Sequence, residues 1–363
     1  MKNKRNIILL GMFTTVCILF NACKKDPPAA TTKIIIEHDT VQHAWQTEPR
    51  FNNLDQDISV AYAANNGKVF FYGTQYYCYV YDSASNGWGL INTISPLAYR
   101  RPAVNKAFFA AATVTNNFGL QTYTASSYLP SYGGNFKSFD TNFTAFPEYL
   151  LNYPLTNIAD ISDSNRVLFP VLTTDNTKNY YYLLDTKISY SSTPSFTVSN
   201  FHKLALGVFN GIDNQFTTTH LNNRFFIGHA DTTYLVREDF SIKVVLNNDI
   251  FLSVFLYNGN YYATSISGNI YETTNNGETW SLQFTINPRG TAIFNFDNNL
   301  IAIYQSQLWQ VTLGATSISF KEIVNDGLTG KTITGLVKCN NKVWITTNGG
   351  VFYRPYNQFY QFK

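Results

Sequence analysis

From about Asp57 onward the chain is written in short apolar runs, each stopped by a tight turn, and one phrase keeps returning: run, turn, run, turn, run. The first turn of each phrase falls at Asn66-Gly67, Asn105-Lys106, Asn165-Arg166, Asn222-Asn223, Asn258-Gly259, Asn298-Asn299 and Asn340-Asn341. Steps between them are 39, 60, 57, 36, 40 and 42 residues. Asn and Gly recur there because hairpin turns need positive φ, which these residues reach with the least steric penalty. Runs directly after the anchors, such as 68–72 (KVFFY), 225–228, 261–264, 300–304 and 342–346, are too short for most helices and rich in β-forming residues. Second runs follow at 78–81, 180–184, 233–237, 269–272, 307–311 and 350–354. No stretch after residue 50 sustains a helical period.

Short strands in units of about 40 residues, each needing neighbours to cover its faces, predict an all-β fold: a β-propeller of seven blades, each of four antiparallel strands. Two steps are long, and their extra residues fall at 126–156 and 187–205, where loops or longer outer strands are expected. A ring normally closes with strands from both chain ends in one blade. Residues 43–51 are the candidate to complete the blade that holds residues 358–362. Because the steps are irregular, a sandwich of two β domains is the architectural alternative.

Residues 273–280 (TTNNGETW) resemble the Asp-box of sialidase-like propellers, with Asn275 in place of the aspartate. The resemblance implies a structural turn away from any catalytic face. There Thr273 and Asn275 cap backbone amides, Gly277 supplies positive φ and Trp280 packs into the blade edge. Residues 342–354 (KVWITTNGGVFYR) resemble the extracellular sensor repeats of two-component regulators, in which an aromatic-bearing strand turns through Gly-Gly into the next. Thr346-Thr347-Asn348 echoes Thr273-Thr274-Asn275, but it follows its anchor by 6 residues rather than 15, so the two are different turns of a blade.

At the N-terminus, Lys2, Lys4 and Arg5 precede an apolar run at 7–20 and then Asn21-Ala22-Cys23. The run has 14 residues, short of the ~20 that a membrane-spanning helix needs. This segment resembles a bacterial lipoprotein signal, which implies cleavage before Cys23, acylation of Cys23 and a Bacteroidota-type outer-membrane lipoprotein. Residues 24–32 (KKDPPAATT) read as a flexible tether. The domain plan is therefore a signal peptide at 1–22, a lipidated tether at 23–42 and the propeller at 43–363. Lipoproteins of that phylum carry acidic residues after the cysteine when sent to the outer face. Here only Asp26 answers, beside Lys24 and Lys25, so both the surface and the periplasmic side stay open.

Removing 1–22 leaves 23 basic residues against 23 acidic ones, which gives no electrostatic footprint for nucleic acid. Of four cysteines only Cys78 and Cys339 remain in the folded body. They fall in the first and last units of the proposed ring, so one disulfide between them is allowed by an exported setting, with two buried free thiols as the plainer outcome.

Sialidase chemistry would need an arginine cluster, a Tyr nucleophile and an acidic proton donor. The Arg-Ile-Pro element of that family is absent. Gly330-Lys331-Thr332 ends like a phosphate loop but leads into a strand pattern. His38, His43, His202, His220 and His229 have no zinc spacing. Asp55 with Asp57, Asp160 with Asp163, and Asp175 are the acids that could meet calcium, but no EF-hand pattern exists and they read as solvated turn acids. No catalytic residue, metal or cofactor is assigned.

The segment 126–153 carries Tyr128, Tyr132 and six further aromatic residues among Gly, Ser and Asn. Such rings either bind sugars or peptides or pack an outer strand on the next blade. The function expected is a lipid-anchored, non-catalytic binding module of the cell envelope with a glycan or protein partner. The alternatives are a glycan-active hydrolase and a structural subunit of an outer-membrane complex.

Overall fold

A computed structural model describes residues 44–51, 58–63, 67–73, 77–92, 103–104, 108–113, 119–124, 131–135, 160–164, 166–172, 178–189, 195–208 and 217–363. These begin with a two-residue strand, β1 (Gln46–Thr47). The first sheet follows as β2 (Ile58–Ala63), β3 (Lys68–Gly73), β4 (Tyr77–Asp82) and β5 (Gly87–Asn92). The second comprises β6 (Ala103–Val104), β7 (Phe108–Thr113), β8 (Gly119–Thr124) and β9 (Ser131–Asn135). In the third are β10 (Asp160–Ile161), β11 (Arg166–Leu172), β12 (Lys178–Ser189) and β13 (Ser195–Val208).

The fourth sheet holds β14 (Thr217–Leu221), β15 (Arg224–His229), β16 (Thr232–Val236) and β17 (Ile242–Asn247). The fifth holds β18 (Phe251–Tyr257), β19 (Asn260–Ser265), β20 (Asn269–Thr273) and β21 (Ser281–Thr285). The sixth is β22 (Ala292–Phe296), β23 (Asn299–Tyr304), β24 (Gln307–Leu313) and β25 (Ile318–Ile323). The seventh is β26 (Ile333–Cys339), β27 (Lys342–Thr347) and β28 (Gly350–Pro355), completed by β1.

Among the described residues there are thus seven four-stranded antiparallel sheets, six of them meanders in chain order and the seventh a three-strand meander joined by β1. The only helical pieces described are two three-residue 3-10 turns, Pro49–Phe51 and Tyr356–Gln358. Among the described anchors, Asn222-Asn223, Asn258-Gly259 and Asn340-Asn341 fall between the first and second strand of a sheet. Asn222, Asn258 and Asn340 each take φ near +50°, as the hairpin geometry requires. In the sixth sheet the turn lies one residue earlier, at Asp297-Asn298, because Phe296 pairs with Asn299. Of the surplus residues in the long steps, those at 187–205 lengthen a hairpin, β12 reaching 12 residues and β13 reaching 14.

Successive sheets meet through their first strands: β6 with β10, β10 with β14, β14 with β18, β18 with β22, and β26 with β2. Hydroxyls make the seams polar as well as apolar. Thr217 Oγ1 donates to the Phe251 carbonyl (2.6 Å), and one sheet later Ser253 Oγ donates to the Ile293 carbonyl (2.8 Å). Asn295 adds a pair of bonds to the Leu256 backbone, accepting from its N–H (2.9 Å) and donating to its carbonyl (2.7 Å). Inner-strand edges therefore find partners that the ladder itself does not supply.

The seventh sheet is closed from the N-terminal side. Gln46 pairs with Tyr353 and Thr47 with Phe352, while the Trp45 N–H reaches the Asp326 carbonyl (2.9 Å) and that of Glu48 the Val351 carbonyl (2.8 Å). Gln46 and Thr47, within the 43–51 candidate, thus complete the last sheet by pairing with β28, whereas residues 361–363 do not join it and lie against β25 of the sixth sheet.

Two aromatic side chains drive this segment home. Trp45 is buried with Phe296, Leu328 and Phe359 between the sixth and seventh sheets. Phe51 is buried with Phe71, Tyr81 and Trp344 between the seventh and the first. Arg354, fully buried, lies 4.7 Å from the Trp45 ring centroid and donates to the Val324 carbonyl (3.0 Å). Burial lowers its pKa to about 10, so the guanidinium stays charged at neutral pH.

Candidate functional site

Three clusters bring polar and aromatic side chains together. The first is the turn between β20 and β21. Thr273 Oγ1 accepts the N–H of Gly277 (3.0 Å) and donates to Asn275 Oδ1 (3.0 Å), which also accepts the N–H of Thr279 (3.0 Å). Gly277 sits at φ +82°, and a Cβ there would lie 2.3 Å from the Phe226 ring of the fourth sheet. Trp280 donates to the Gly277 carbonyl (3.1 Å) and packs edge-on against Phe226 and Phe251.

The amide of Asn275 has a use an aspartate would lack, since its Nδ2 donates to Thr279 Oγ1 (2.9 Å). As the spacing argument requires, Thr346-Thr347-Asn348 occupies a different place, the turn between second and third strands. There Thr347 Oγ1 accepts the Gly349 N–H (3.0 Å).

Glu278 of the same turn reaches back to the fourth sheet. Arg237 grips its two carboxylate oxygens at 2.7 Å each, and Arg224 (3.1 Å) and Lys243 (3.3 Å) also reach it. The Arg237 hydrogen bonds, foremost, hold the Glu278 pKa down to about 2. Two of the arginines available for an anionic substrate thus already meet a carboxylate of the chain itself, and Arg354 is buried in the seam. The cluster reads as a clamp between neighbouring sheets.

The second cluster lies where the seventh sheet meets the first. Phe51, Phe71, Tyr79, Tyr81, Trp88, Trp344 and Tyr353 form a continuous aromatic group. Lys342 Nζ stands 5.2, 5.5 and 5.1 Å from the centroids of Tyr81, Trp344 and Tyr353, and the Arg50 guanidinium 5.3 Å from that of Trp88. Cations over ring faces gain from the ring quadrupole.

The third is the pair His220–Asp160 on the first strands of the fourth and third sheets, with Nδ1 to Oδ2 at 3.0 Å. Asp160 is not a solvated turn acid: it is buried, and its other oxygen caps the Ile161 N–H (2.9 Å). Burial disfavours the charged ring, yet Asp160, with Asp163 behind it, raises the His220 pKa above its ordinary value. Nothing in the spacing of residues 160 and 220 betrays this pair. Only the sheet-to-sheet register brings them together.

Cys339 is a free buried thiol whose Sγ lies 3.2 Å from the Gly67 carbonyl, so the disulfide to Cys78 is not formed. The register explains why. Cys78 lies opposite Tyr72, four residues along β3 from Lys68 and hence about 13 Å from the Gly67 end, well beyond the ~7 Å that bridging allows. Cys23 and Tyr128 lie outside the described residues. Tyr132 is described only by its backbone, which pairs with Gln121. Gly330-Lys331-Thr332 leads into β26, a strand and not a helix. Among the described residues no three His, Cys, Asp or Glu side chains converge as a metal site. None of the described helices is long and apolar enough to cross a membrane.

No protein-family pattern and no curated protein matches the chain. Solved structures do. The chain is similar to PorZ, a bacterial surface component of the type-IX secretion system of Porphyromonas gingivalis, with TM-score 0.52 and 10% identity over 88% of this chain and 39% of that one. It is similar to the extracellular domain of a hybrid two component system protein from B. thetaiotaomicron, with TM-score 0.50 and 12% identity over 85% of this chain and 39% of that one. A third is YCF48, solved bound to D1 peptide, with TM-score 0.53 and 9% identity over 86% of this chain and 94% of that one.

The chain spans about two fifths of the length of the first two. At these identities the likeness shows the fold alone, and that fold is propeller-like.

Proposed function

We propose that this chain is a non-catalytic protein-binding module of the bacterial envelope, built as a closed seven-bladed propeller and tethered by an acyl group on Cys23. The observation that carries the reading is the set of seven four-stranded sheets whose last member is completed by β1, an architecture similar to that of a secretion-system surface component and of a peptide-bound protein. Its charged groups favour the same view, because several of those described hold neighbouring sheets together: Arg224, Arg237 and Lys243 on Glu278, and His220 on Asp160. The segment 126–153, with Tyr128 and Tyr132, stays a candidate for contact with a partner.

In vivo photo-crosslinking on whole envelopes, combined with an alkyne-palmitate label, tests both halves. The expected result is defined protein adducts on a chain that carries the label, and loss of the label in Cys23→Ala. Adducts absent at every surface position, with glycan binding or hydrolysis found in their place, would overturn the protein-binding half. An unlabelled precursor would overturn the anchor.

A further inference from the structure

We propose that the outer edge of β25 is a docking strand that takes an extended segment of a partner protein in antiparallel register; this rests on the protein-binding reading above. Outermost strands leave one row of backbone groups without a ladder partner, and proteins usually blunt such edges with bulges, glycines, charges or very short strands. Among the described sheets, the outer pairs β8 with β9, β12 with β13, β16 with β17 and β20 with β21 each contain a register shift. The β4 with β5 pair is regular, but β5 carries Gly87 and Gly89, and β1 has two residues only. β25 pairs with β24 over six residues without a shift, contains neither Gly nor Pro, and exposes Phe320.

The edge already accepts a strand. Residues 361–363 run antiparallel along its end: the Val324 N–H donates to the Gln361 carbonyl (2.8 Å), the Lys363 N–H donates to the Glu322 carbonyl (3.1 Å), and Ile323 faces Phe362. Glu322 and Val324 therefore turn their backbone groups outward. With a period of two, so do Phe320 and Ile318. The charges that would guard this edge are engaged by the same segment, for Lys363 Nζ donates to Glu322 (2.6 Å) and Lys321 Nζ lies 3.7 Å from the Phe362 centroid. Among the described residues, what stays open is a short, regular, uncharged stretch at residues 318–320. Phe320 stands edge-on to Trp309 there, at 6.5 Å between centroids, ready to pack an apolar side chain of the incoming strand.

The test selects random octapeptides displayed on phage against the full chain in detergent, then uses the selected sequences as dye-labelled synthetic probes. Edge pairing predicts that N-methylation of every second peptide residue weakens binding at least tenfold while the intervening positions tolerate it. Phe320→Pro, which removes an outward N–H and no bond to β24, should weaken binding at least tenfold, and Leu282→Thr on the bulged β21 should leave it unchanged. An N-methyl scan without alternation, or probes that bind Phe320→Pro like the parent chain, would overturn the docking strand while leaving the protein-binding reading intact. Failure to select any binding peptide would overturn both. Self-association of the chain that Phe320→Pro abolishes would instead make a second copy the occupant and overturn the assignment to a partner protein.

Discussion

Trp45→Ala tests whether the N-terminal segment holds the seventh sheet in place. Trp45 is 4% exposed, meets Phe359 edge-on at 6.1 Å, and covers the guanidinium of Arg354. Truncating a buried Trp to Ala costs about 3–5 kcal/mol through lost transfer energy and the cavity left behind. A further ~1 kcal/mol goes with the cation–π contact, because Arg354 keeps its charge in a seam that no longer offers a ring. The expected loss is therefore about 4–6 kcal/mol, a large part of the stability of an ordinary domain.

Trp45→Phe, which keeps a ring over Arg354, should lose about 1–2 kcal/mol. Urea denaturation of fragment 33–363, followed by far-UV circular dichroism, measures both variants. A lower midpoint with an unchanged slope would mean that closure and global folding are one cooperative event. If Trp45→Ala stays within ~1 kcal/mol of the parent, the segment is not holding the seventh sheet, and the argument from its packing fails.

The remaining predictions concern the other seams. Gly277→Ala forces positive φ on a side chain and drives a Cβ to 2.3 Å from Phe226, so a loss of about 2–4 kcal/mol is expected in the same denaturation assay, and a change below ~0.5 kcal/mol would refute the packing. For Glu278 the folded pKa, about 2, lies below the ordinary carboxylate value, so its stabilisation is complete above the unfolded pKa and disappears as pH falls through about 2. Glu278→Gln should flatten the midpoint-versus-pH curve between about pH 5 and 2 relative to the parent; parallel curves would exclude the clamp. His220 has the opposite sign. Its raised pKa gives stabilisation that is full below the unfolded value and is lost as pH rises through the folded one, and NMR titration should place it above ordinary histidine in the parent and lower in Asp160→Asn. An unshifted His220 would remove the pair from the account.

The repeat is legible in the chain because its signal is local. A two-residue hairpin demands positive φ, and Asn or Gly supplies it; Asn222, Asn258 and Asn340 mark the turns with little else needed. The Asp-box-like turn is legible for the same reason, because the bonds that shape it from within span four residues or fewer. What joins sheets is not local. Glu278 to Arg237 spans 41 residues and His220 to Asp160 spans 60, and no period in the sequence ties these positions. The cysteines show the same limit: the order of turns puts both in neighbouring sheets and allows a bridge, but their positions at opposite ends of the shared seam, which leave Cys339 free, are not written in that order.

The same division explains why the search for a partner moves outward. Inner strands are stitched sheet to sheet by Thr217, Ser253 and Asn295, and the described ion pairs around Glu278 and Asp160 are likewise used up between sheets. Groups that hold neighbouring sheets together cannot also be released to a ligand without loosening a seam. Of the described outer strands, β17 shares that work through Lys243, whereas β25, whose guarding charges are engaged by residues 361–363, is where backbone hydrogen bonds can be offered at the least cost to the fold.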